Sequence, residues 1–251
     1  MKKIAIVIPT YQRIKKLERL LDSLAKQTYQ NFSVYIYCDN KDKKTFDWVE
    51  DEWINFGFTS KEGRLVPLES CVKKAVLNDK QEFVTGSWNK FFKDYHDKYD
   101  AVQWLCDDTE VFPNFLEEAV KCMETNYPDT DGVIGTHQIC PNHPEYTFKY
   151  YGQPLIGKKF ISRYEAVDYA VCCTSFRFLF QDEELYLHAT SLGKFKECNT
   201  AILKHFHPGF IKEELDSTHS LSRTNEIRQA DKLTYTLRRS KGLIWGLSFQ
   251  K

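Results

Sequence analysis

Residues 4–40 read IAIVIPTYQRIKKLERLLDSLAKQTYQNFSVYIYCDN, and the fold class can be inferred from this segment. Its first five residues are all apolar, which is typical of a strand buried on both faces of a parallel sheet, and we expect Pro9 to end that strand. From Arg13 to Gln27 apolar residues recur at helical spacing, and residues 32–38 then alternate between apolar and polar side chains. Strand, helix and strand in succession predict a βαβ unit with a right-handed crossover.

Later segments continue this alternation of strands and helices. We expect further strands at residues 101–106, 133–136, 171–180 and 200–207. We expect helices around residues 88–95, from Pro113 onwards, and at 182–192, where Gly193 ends the helix. Residues 41–81 show no clear pattern. The sequence therefore predicts an α/β protein with a mainly parallel central sheet flanked by helices, organised as one domain at residues 1–210 and a short helical C-terminal extension at 211–251.

The composition is that of an ordinary globular protein with balanced charge. The chain has 251 residues, of which 42% are hydrophobic and 15% aromatic, enough to fill one core. Lys and Arg total 35, as do Asp and Glu, so the charge gives no reason to expect a polyanionic partner. The eight cysteines form no CxxC pair, which favours reduced thiols over a zinc site. No apolar run approaches the roughly 20 residues of a membrane span. We therefore expect a cytoplasmic protein without a transmembrane segment, with peripheral attachment at the inner membrane surface left open.

Polar side chains follow three of the predicted strands. They are Thr10 and Tyr11 after the first strand, Asp39 after the second, and the pair Asp107-Asp108 after the strand at 101–106. In open α/β sheets, ligands bind beyond the carboxyl ends of the strands. The sequence therefore predicts a binding site where these strand ends meet.

The pair Asp107-Asp108 is the strongest candidate for chemistry. Two adjacent carboxylates repel each other, and a hard divalent cation such as Mn²⁺ or Mg²⁺ relieves that repulsion while leaving coordination positions for phosphate oxygens. The alternative is a solvated turn in which one aspartate caps the following helix.

The order of several motifs resembles a known family. The motifs are Ile6-Val7-Ile8-Pro9-Thr10-Tyr11-Gln12-Arg13, the strand-ending Asp39, Trp104-Leu105-Cys106-Asp107-Asp108-Thr109 followed by Pro113, and Gln181-Asp182-Glu183-Glu184-Leu185 followed by Gly193. Together, over about residues 4–207, they resemble the family 2 type inverting glycosyltransferases of GT-A fold. The resemblance implies a single Rossmann-like GT-A catalytic domain, with the C-terminal extension packed on or near its active site.

The resemblance also implies a role for each matching residue. Pro9, Thr10, Tyr11 and Arg13 would line a nucleotide pocket, Asp39 would accept a hydrogen bond from the base, Asp107 would lie near the ribose, and Asp108 would be the main ligand of Mn²⁺ or Mg²⁺. Where the family commonly has a further Asp, this chain has Cys106, so that two carboxylates remain of the usual three.

A second acidic group begins the helix predicted at 182–192. The resemblance implies that a carboxylate here is the general base that removes the proton of the acceptor hydroxyl, and the catalytic candidates are Asp182 and Glu183. Spacing back from Gly193 favours Asp182, and the helix dipole stabilises an ionised acid in the first turn. The alternative is a plain first-turn acidic cluster.

Two weaker candidate groups complete the site. His205 and His207 are predicted to share one strand face. The resemblance implies that a histidine here is a further metal ligand or a phosphate contact, and His207 is preferred because it adjoins Pro208-Gly209, where the strand must end. The two could equally be edge or core histidines. Asn89 and Lys90 follow Gly86 in a helix and are expected to approach the donor diphosphate. Their alternative is a core Trp88 with two solvated neighbours.

The resemblance predicts a nucleoside-diphosphate sugar donor, with a UDP-sugar favoured. A saccharide or lipid-linked glycan is the favoured acceptor, whereas the balanced charge gives no indication of a modified nucleic acid. Two alternatives stay open. A nucleotidyltransferase would usually carry a Gly-rich loop after the first strand, which this chain lacks. A non-catalytic nucleotide-sugar-binding domain would keep the fold without the chemistry.

Overall fold

The computed structural model describes residues 2–55, 72–141, 143–207, 220 and 224–249. Across these residues one mixed sheet runs in the order β3-β2-β1-β4-β8-β6-β9-β5, and β7 pairs with β6. The strands are β1 (Ile4–Thr10), β2 (Phe32–Cys38), β3 (Val72–Leu77), β4 (Ala101–Trp104), β5 (Thr109–Val111), β6 (Val133–Cys140), β7 (His143–Thr147), β8 (Leu155–Gly157) and β9 (Phe195–His205). The strands β3, β2, β1 and β4 are parallel, whereas β8 is antiparallel to both β4 and β6.

Helices cover both faces of this sheet. They are α1 (Ile14–Leu24), α2 (Lys43–Val49), α3 (Phe83–Tyr95), α4 (Phe115–Asn126), α5 (Lys158–Ile161), α6 (Gln181–Ser191) and α7 (Asn225–Ser240), and a π-helical stretch, Glu50–Asn55, follows α2. None of the helices in the described part of the chain combines the length and the apolar composition that crossing a bilayer needs.

Alternate residues of β1 belong to two different cores. Ile6 packs on the face covered by α1 and α4, while Val7 packs on the face covered by α3 and α5. On that second face, Trp88 of α3 stacks on Trp104 of β4 with ring centroids 4.3 Å apart. Because aromatic rings bury large apolar areas, this stack fixes α3 beside the end of β4. The strand predicted to be buried on both faces is therefore confirmed.

β2 is buried on both faces, although its residues alternate in polarity. It spans the predicted residues, and every one of them is buried. Val34 and Ile36 lie in the first core, and Tyr35 and Tyr37 in the second. The Tyr35 hydroxyl hydrogen-bonds the hydroxyl of Tyr99 at 2.7 Å. A pattern that alternates in polarity is buried on both faces because tyrosine rings are apolar and a buried hydroxyl can find a partner inside.

β1 continues through Pro9, which was expected to end it. The backbone carbonyl of Val7 accepts from Leu105, and that of Thr10 accepts from Asp39. Because backbone polar groups alternate in direction along a strand, Pro9 faces the β4 side, as Val7 does. β4 ends at Trp104, so the missing N–H of Pro9 costs no ladder bond there.

Pro113 was predicted to lie in the first turn of a helix, and this is wrong. The short strand β5 follows the aspartate pair and pairs with β9, and α4 begins only at Phe115. The carbonyl of Pro113 instead accepts the backbone N–H of Thr28, at 2.8 Å. Both contacts, the β5–β9 pairing and the one between Thr28 and Pro113, join segments that are far apart in the sequence. No local sequence pattern could therefore predict them.

The strand predicted at residues 171–180 is also absent, since this segment has bends and turns only. Its backbone N–H groups at 177–179 donate to the carboxylate of Asp231 instead of a neighbouring strand. Phe180 has a φ of 72°, which breaks any extended run.

The predictions for the helix at 182–192 and the strand at 200–207 are confirmed in part. α6 ends at the predicted place, where Gly193 has a φ of 66°. β9 starts earlier than predicted and ends at His205, so that His207 follows the strand. Pro208-Gly209 lie outside the described residues. So do residues 56–71, which belong to the region 41–81 that showed no clear sequence pattern. Its remaining part forms α2, the π-helical stretch and β3. The division into domains at residue 210 stays a prediction.

Candidate active site

A first cavity opens at the carboxyl ends of β1, β2 and β4. Six of the predicted nucleotide-sugar residues line it, namely Pro9, Thr10, Tyr11, Arg13, Asp39 and Asp107. Phe83, Val84 and Ser87 of α3 and the ring of Phe178 complete its lining on the other side. The three strand ends that the sequence singled out therefore meet at one cavity.

Asp107 is held at the bottom of this cavity by two partners. Its Oδ1 accepts a hydrogen bond from Nη1 of Arg13 at 2.7 Å, and its Oδ2 accepts one from the hydroxyl of Thr10 at 2.8 Å. Burial raises the pKa of Asp107, and the guanidinium of Arg13 opposes that shift. The two hydrogen bonds fix the orientation of a carboxylate that would otherwise rotate freely.

A second cleft lies on the other side of the aspartate pair. It is lined by Asp108, Asp182, His205 and His207, together with Gln138 of β6 and residues of the loop after β7. Arg13, Val84, Cys106 and Phe178 line both cavities. The adjacent aspartates are thus divided, with Asp107 on the first cavity and Asp108 on the second cleft.

Asp108 and His205 face each other across the cleft. Oδ1 of Asp108 lies 3.4 Å from Nε2 of His205, and Oδ2 lies 3.7 Å from Nη1 of Arg13. Both side chains are more than four-fifths buried, at 5% and 13% exposure. His205 belongs to β9 and Asp108 lies between β4 and β5, so the pairing of β5 with β9 brings them together.

Gln138 orients the imidazole of His205. The amide nitrogen of Gln138 donates to the carbonyl of Lys149 at 2.8 Å, which turns its oxygen towards Nδ1 of His205 at 3.1 Å. Because an amide oxygen only accepts, Nδ1 must carry the proton in the neutral ring. In that neutral form the lone pair of Nε2 would face the carboxylate of Asp108, and a metal ion between them could take both as ligands.

The donor set at this point fits a divalent cation in part. Asp108 and His205 supply a carboxylate oxygen and an imidazole nitrogen. Cys106 adds little, because burial raises the pKa of its thiol and keeps it neutral. Within the described residues, no three or more His, Cys, Asp or Glu side chains form a group that could hold a metal ion. A cation here would therefore have two protein ligands and take the rest of its oxygens from another molecule.

His207 lines the same cleft but lies beyond the strand. Its ring is perpendicular to that of His205, with centroids 5.5 Å apart. The sequence preferred His207 to His205 as a metal ligand. In the structure, His205 contacts Asp108 and both histidines line the cleft, so the choice between them stays a prediction.

The acidic triplet at the start of α6 divides among three environments. Asp182 lines the second cleft, and burial raises its pKa to about 6. Glu183 accepts a hydrogen bond from the hydroxyl of Tyr235 at 2.5 Å. Glu184 is buried and pairs with Arg238 at 2.6 Å. Of the two catalytic candidates, Asp182 is the one that lines the cleft.

Asn89 and Lys90 do not join the other predicted residues. Both line a separate cleft between α3 and the segment around Arg177. The side-chain amide of Asn89 donates to the carbonyl of Cys172 at 2.8 Å and accepts its N–H at 2.9 Å. These bonds hold a loop in place, so the position of Asn89 does not support its predicted role at the donor diphosphate.

Several cavity residues were not found from the sequence. Asn78 follows β3 and hydrogen-bonds Ser87 at 3.2 Å, and both line the first cavity. The strand-end rule would have found Asn78 if β3 had been recognised. Gln138 and Phe178 had no sequence signal, since their roles depend on pairings between distant segments.

Comparisons with known proteins bear on the family and the fold of the chain. The family model described as Glycosyl transferase family 2 matches residues 5–185. No curated protein matches the chain. Among solved structures, S. aureus TarS 1-349 is similar with a TM-score of 0.59 and 14% identity, covering 82% of this chain and 61% of that one. S. aureus TarS 1-349 in complex with UDP has a TM-score of 0.59 and 13% identity, covering 95% and 72%.

The likeness to these structures is one of fold, because the sequence identities are low. The match to the first of them spans less than two thirds of that chain's length. The GT-A fold predicted from the sequence is confirmed by this likeness together with the family match. Because the family model covers most of the chain, the protein belongs to glycosyl transferase family 2.

Proposed function

We propose that the protein moves a sugar from a nucleoside-diphosphate sugar to an acceptor hydroxyl, with inversion, using a divalent cation and a carboxylate base. The observation that supports this most directly is the division of the aspartate pair between two adjoining cavities. Such a transfer needs a pocket for the nucleotide next to a cleft for the sugar and acceptor, with charge compensation between them. The family match favours sugar transfer over nucleotidyl transfer.

The first cavity suits a nucleoside. Tyr37, Phe83 and Phe178 supply aromatic surface for a base, and Asp39 can accept a hydrogen bond from it. Asp107, oriented by Arg13 and Thr10, would bind the ribose. UDP-sugars are the favoured donors, since a similar structure is that of TarS in complex with UDP.

Asp108 and His205 would hold the cation, Mn²⁺ or Mg²⁺, with His207 as a further ligand or phosphate contact. When bound, the cation would neutralise the negative charge that develops on the leaving diphosphate. Asp108 suits this task because it lines the second cleft directly beside Asp107, which lines the first cavity, so a diphosphate that reaches from one to the other would pass close to it.

Asp182 would act as the general base. The acceptor oxygen forms a bond to the anomeric carbon, the bond from that carbon to the diphosphate oxygen breaks, and the hydroxyl proton moves to the carboxylate of Asp182. UDP leaves with the electron pair of the broken bond. A single displacement from the opposite face inverts the anomeric centre, and no covalent enzyme intermediate forms.

Saccharides and lipid-linked glycans are the favoured acceptors. The second cleft offers aromatic and amide surfaces typical of sugar sites, including Tyr151, Phe180 and Gln153. A cytoplasmic location, with or without peripheral attachment to the inner membrane surface, accompanies this proposal.

The test needs no knowledge of the acceptor. The protein is incubated with a panel of UDP-, GDP-, CMP- and dTDP-sugars and Mn²⁺, and slow transfer to water is followed as release of the free nucleotide. We expect release from a UDP-α-sugar, with the β-anomer of the free sugar appearing first by NMR. Nucleotide binding without release from any donor would favour a non-catalytic binding domain, and first appearance of the α-anomer would contradict inversion.

A further inference from the structure

Residues 177–180, the anchored segment, form part of both cavities. The ring of Phe178 lines the first cavity and the second cleft, and Leu179 and Phe180 line the second cleft. α6 begins directly after this segment, so Asp182 follows Phe180 by two residues. A shift of the segment would therefore displace both the nucleotide pocket and the candidate base.

The carboxylate of Asp231, on α7, holds this segment by its backbone. It accepts the N–H of Arg177 at 3.1 Å, of Phe178 at 3.0 Å and of Leu179 at 3.0 Å. Asp231 is 1% exposed. Three successive backbone N–H groups converging on one buried carboxylate form an anion-binding nest, and hydrogen bonds to a charged acceptor are about twice as strong as neutral ones.

Contacts on either side fix the segment further. The backbone N–H and the hydroxyl of Thr85, on α3, approach the carbonyl of Arg177 at 3.5 and 3.1 Å. The ring of Phe180 stacks on that of Tyr235 of α7, with centroids 4.4 Å apart. The positive φ of Phe180 is an uncommon conformation for a bulky residue and persists only where its surroundings hold it.

From this geometry we infer that Asp231 is a positioning residue of the active site. It acts through the backbone of the anchored segment, keeping Phe178 against the nucleotide and Asp182 in the acceptor cleft. The C-terminal helix thereby becomes part of the catalytic apparatus without touching substrate. This inference rests on the proposed function for what the two cavities bind.

Asp231→Asn keeps the shape of the side chain but removes its negative charge and one of its two acceptor oxygens. The 3.1 Å bond from Arg177 to Oδ1 is lost, and the bonds from Phe178 and Leu179 then go to a neutral acceptor. An amide has one oxygen, and its NH₂ group would face N–H donors. We expect the anchored segment to move, and a displacement of about 1 Å can lower a rate by as much as about 100-fold.

Asp131→Asn is the matched control. Asp131 is also a buried carboxylate, 5% exposed, and it pairs with Arg163 and with Lys194 at 3.0 Å. It lines neither cavity. Both variants lose one buried carboxylate, but only the first loses the anchor of residues 177–179.

The experiment measures UDP affinity by calorimetry, kcat and KM for a UDP-sugar with Mn²⁺, and the melting temperature, on the full chain below its melting transition. We expect Asp231→Asn to lower kcat by about tenfold or more and to weaken UDP binding, while Asp131→Asn changes neither despite a comparable fall in melting temperature. Equal kinetics and UDP affinity in the two variants would overturn the inference.

Two provisions keep the test decisive. If Asp231→Asn does not fold, Thr85→Val removes a hydroxyl bond to the same segment from the α3 side, and a smaller change in kcat and UDP affinity is expected, whereas none would overturn the inference. If the unaltered protein releases nucleotide from no donor, the proposed function fails, but the difference in UDP affinity between the two aspartate variants still tests the anchor.

Discussion

The carboxylate of Asp182 has a different environment from those of its two acidic neighbours, Glu183 and Glu184. Glu183 and Glu184 are engaged by Tyr235 and Arg238 of the C-terminal helix, while Asp182 lines the cleft with a pKa raised to about 6. A base of this pKa is largely ionised at neutral pH and is a stronger proton acceptor than an ordinary aspartate. The sequence singled out the triplet, and spacing from Gly193 selected Asp182. The sequence could not show that Glu183 and Glu184 have partners on α7, because those contacts join distant segments.

The pH dependence of kcat/KM should report this carboxylate. Because Asp182 must be ionised to accept a proton, activity is retained above pH 6 and falls about tenfold per pH unit well below it. Asp182→Asn is expected to lower kcat by about 100-fold or more, and Glu183→Gln by much less. A pH profile measured with a UDP-sugar and Mn²⁺ checks this, and an acidic limb near pH 4 would argue against Asp182 as the base.

Gln138 offers a second test at the scale of one side chain. Gln138→Leu removes the acceptor that fixes the tautomer of His205, and loss of such an outer partner typically weakens metal binding by about 10- to 100-fold. Gln27→Leu is a matched control, because Gln27 is a buried amide that bonds the carbonyl of Phe112 and the N–H of Leu116 away from the cleft. Mn²⁺ titration by electron paramagnetic resonance gives both affinities. Equal Mn²⁺ affinity in the two variants would contradict the role of Gln138.

At the scale of elements, local sequence patterns predicted the helices and strands that depend on neighbouring residues alone. β1, α1 and β2 were predicted because runs and periodicities determine them, and Gly193 was predicted as a helix stop because its left-handed φ of 66° suits glycine. The segment 171–180 was predicted as a strand from its apolar content and is not one. Its backbone bonds go to Asp231, a partner more than 50 positions away that periodicity cannot show. The same holds for β5, which exists because it pairs with β9.

Alanine substitutions at two glycines should show how much backbone strain and steric overlap each cost in unfolding free energy. A Cβ at Gly157, in β8, would overlap the backbone carbonyl of Thr130, whereas one at Gly193 would have no atom within 4 Å. We expect Gly193→Ala to cost about 1 kcal/mol, from its positive φ alone. Gly157→Ala is expected to cost about 2–3 kcal/mol or more, because backbone must move. Denaturant unfolding measures both, and a smaller loss for Gly157→Ala would show that the backbone around Gly157 and Thr130 can move at little cost in free energy.

At the scale of the molecule, the sheet separates two cores, and α7 attaches to the second through buried polar contacts. Trp245, after α7, donates from its ring N–H to the carbonyl of Ala170 at 2.7 Å. The sequence could suggest that the C-terminal region packs near the site, yet its polar anchors had no pattern to mark them. A single buried polar residue can be identified as an anchor only when the structure shows its hydrogen-bond partners.

His188 lies in this second core and should make stability depend on pH. It is fully buried and hydrogen-bonds the hydroxyl of Tyr164 at 2.6 Å, and burial lowers its pKa to about 4. The unfolded chain, with a pKa of about 6.5, binds a proton first as pH falls, so stability present above pH 6.5 is lost towards pH 4. Between pH 7 and pH 5 the loss from this group is about 2 kcal/mol.

Denaturant unfolding at the two pH values, compared between the unaltered protein and His188→Gln, isolates this effect from that of other titrating groups. We expect the unfolding free energy of the variant to change less with pH. An identical pH dependence in both proteins would mean that the pKa of His188 is the same in the folded and the unfolded chain.

We propose that Asp108 holds a divalent cation against the diphosphate of the donor, and calorimetric titration of UDP with and without Mn²⁺ can test this claim. For the unaltered protein we expect Mn²⁺ to tighten UDP binding by about tenfold or more. For Asp108→Ala, with its circular dichroism unchanged, we expect that gain to disappear together with nucleotide release from the donor. UDP affinity that does not respond to Mn²⁺ in the unaltered protein, or that responds equally in the variant, would contradict the claim.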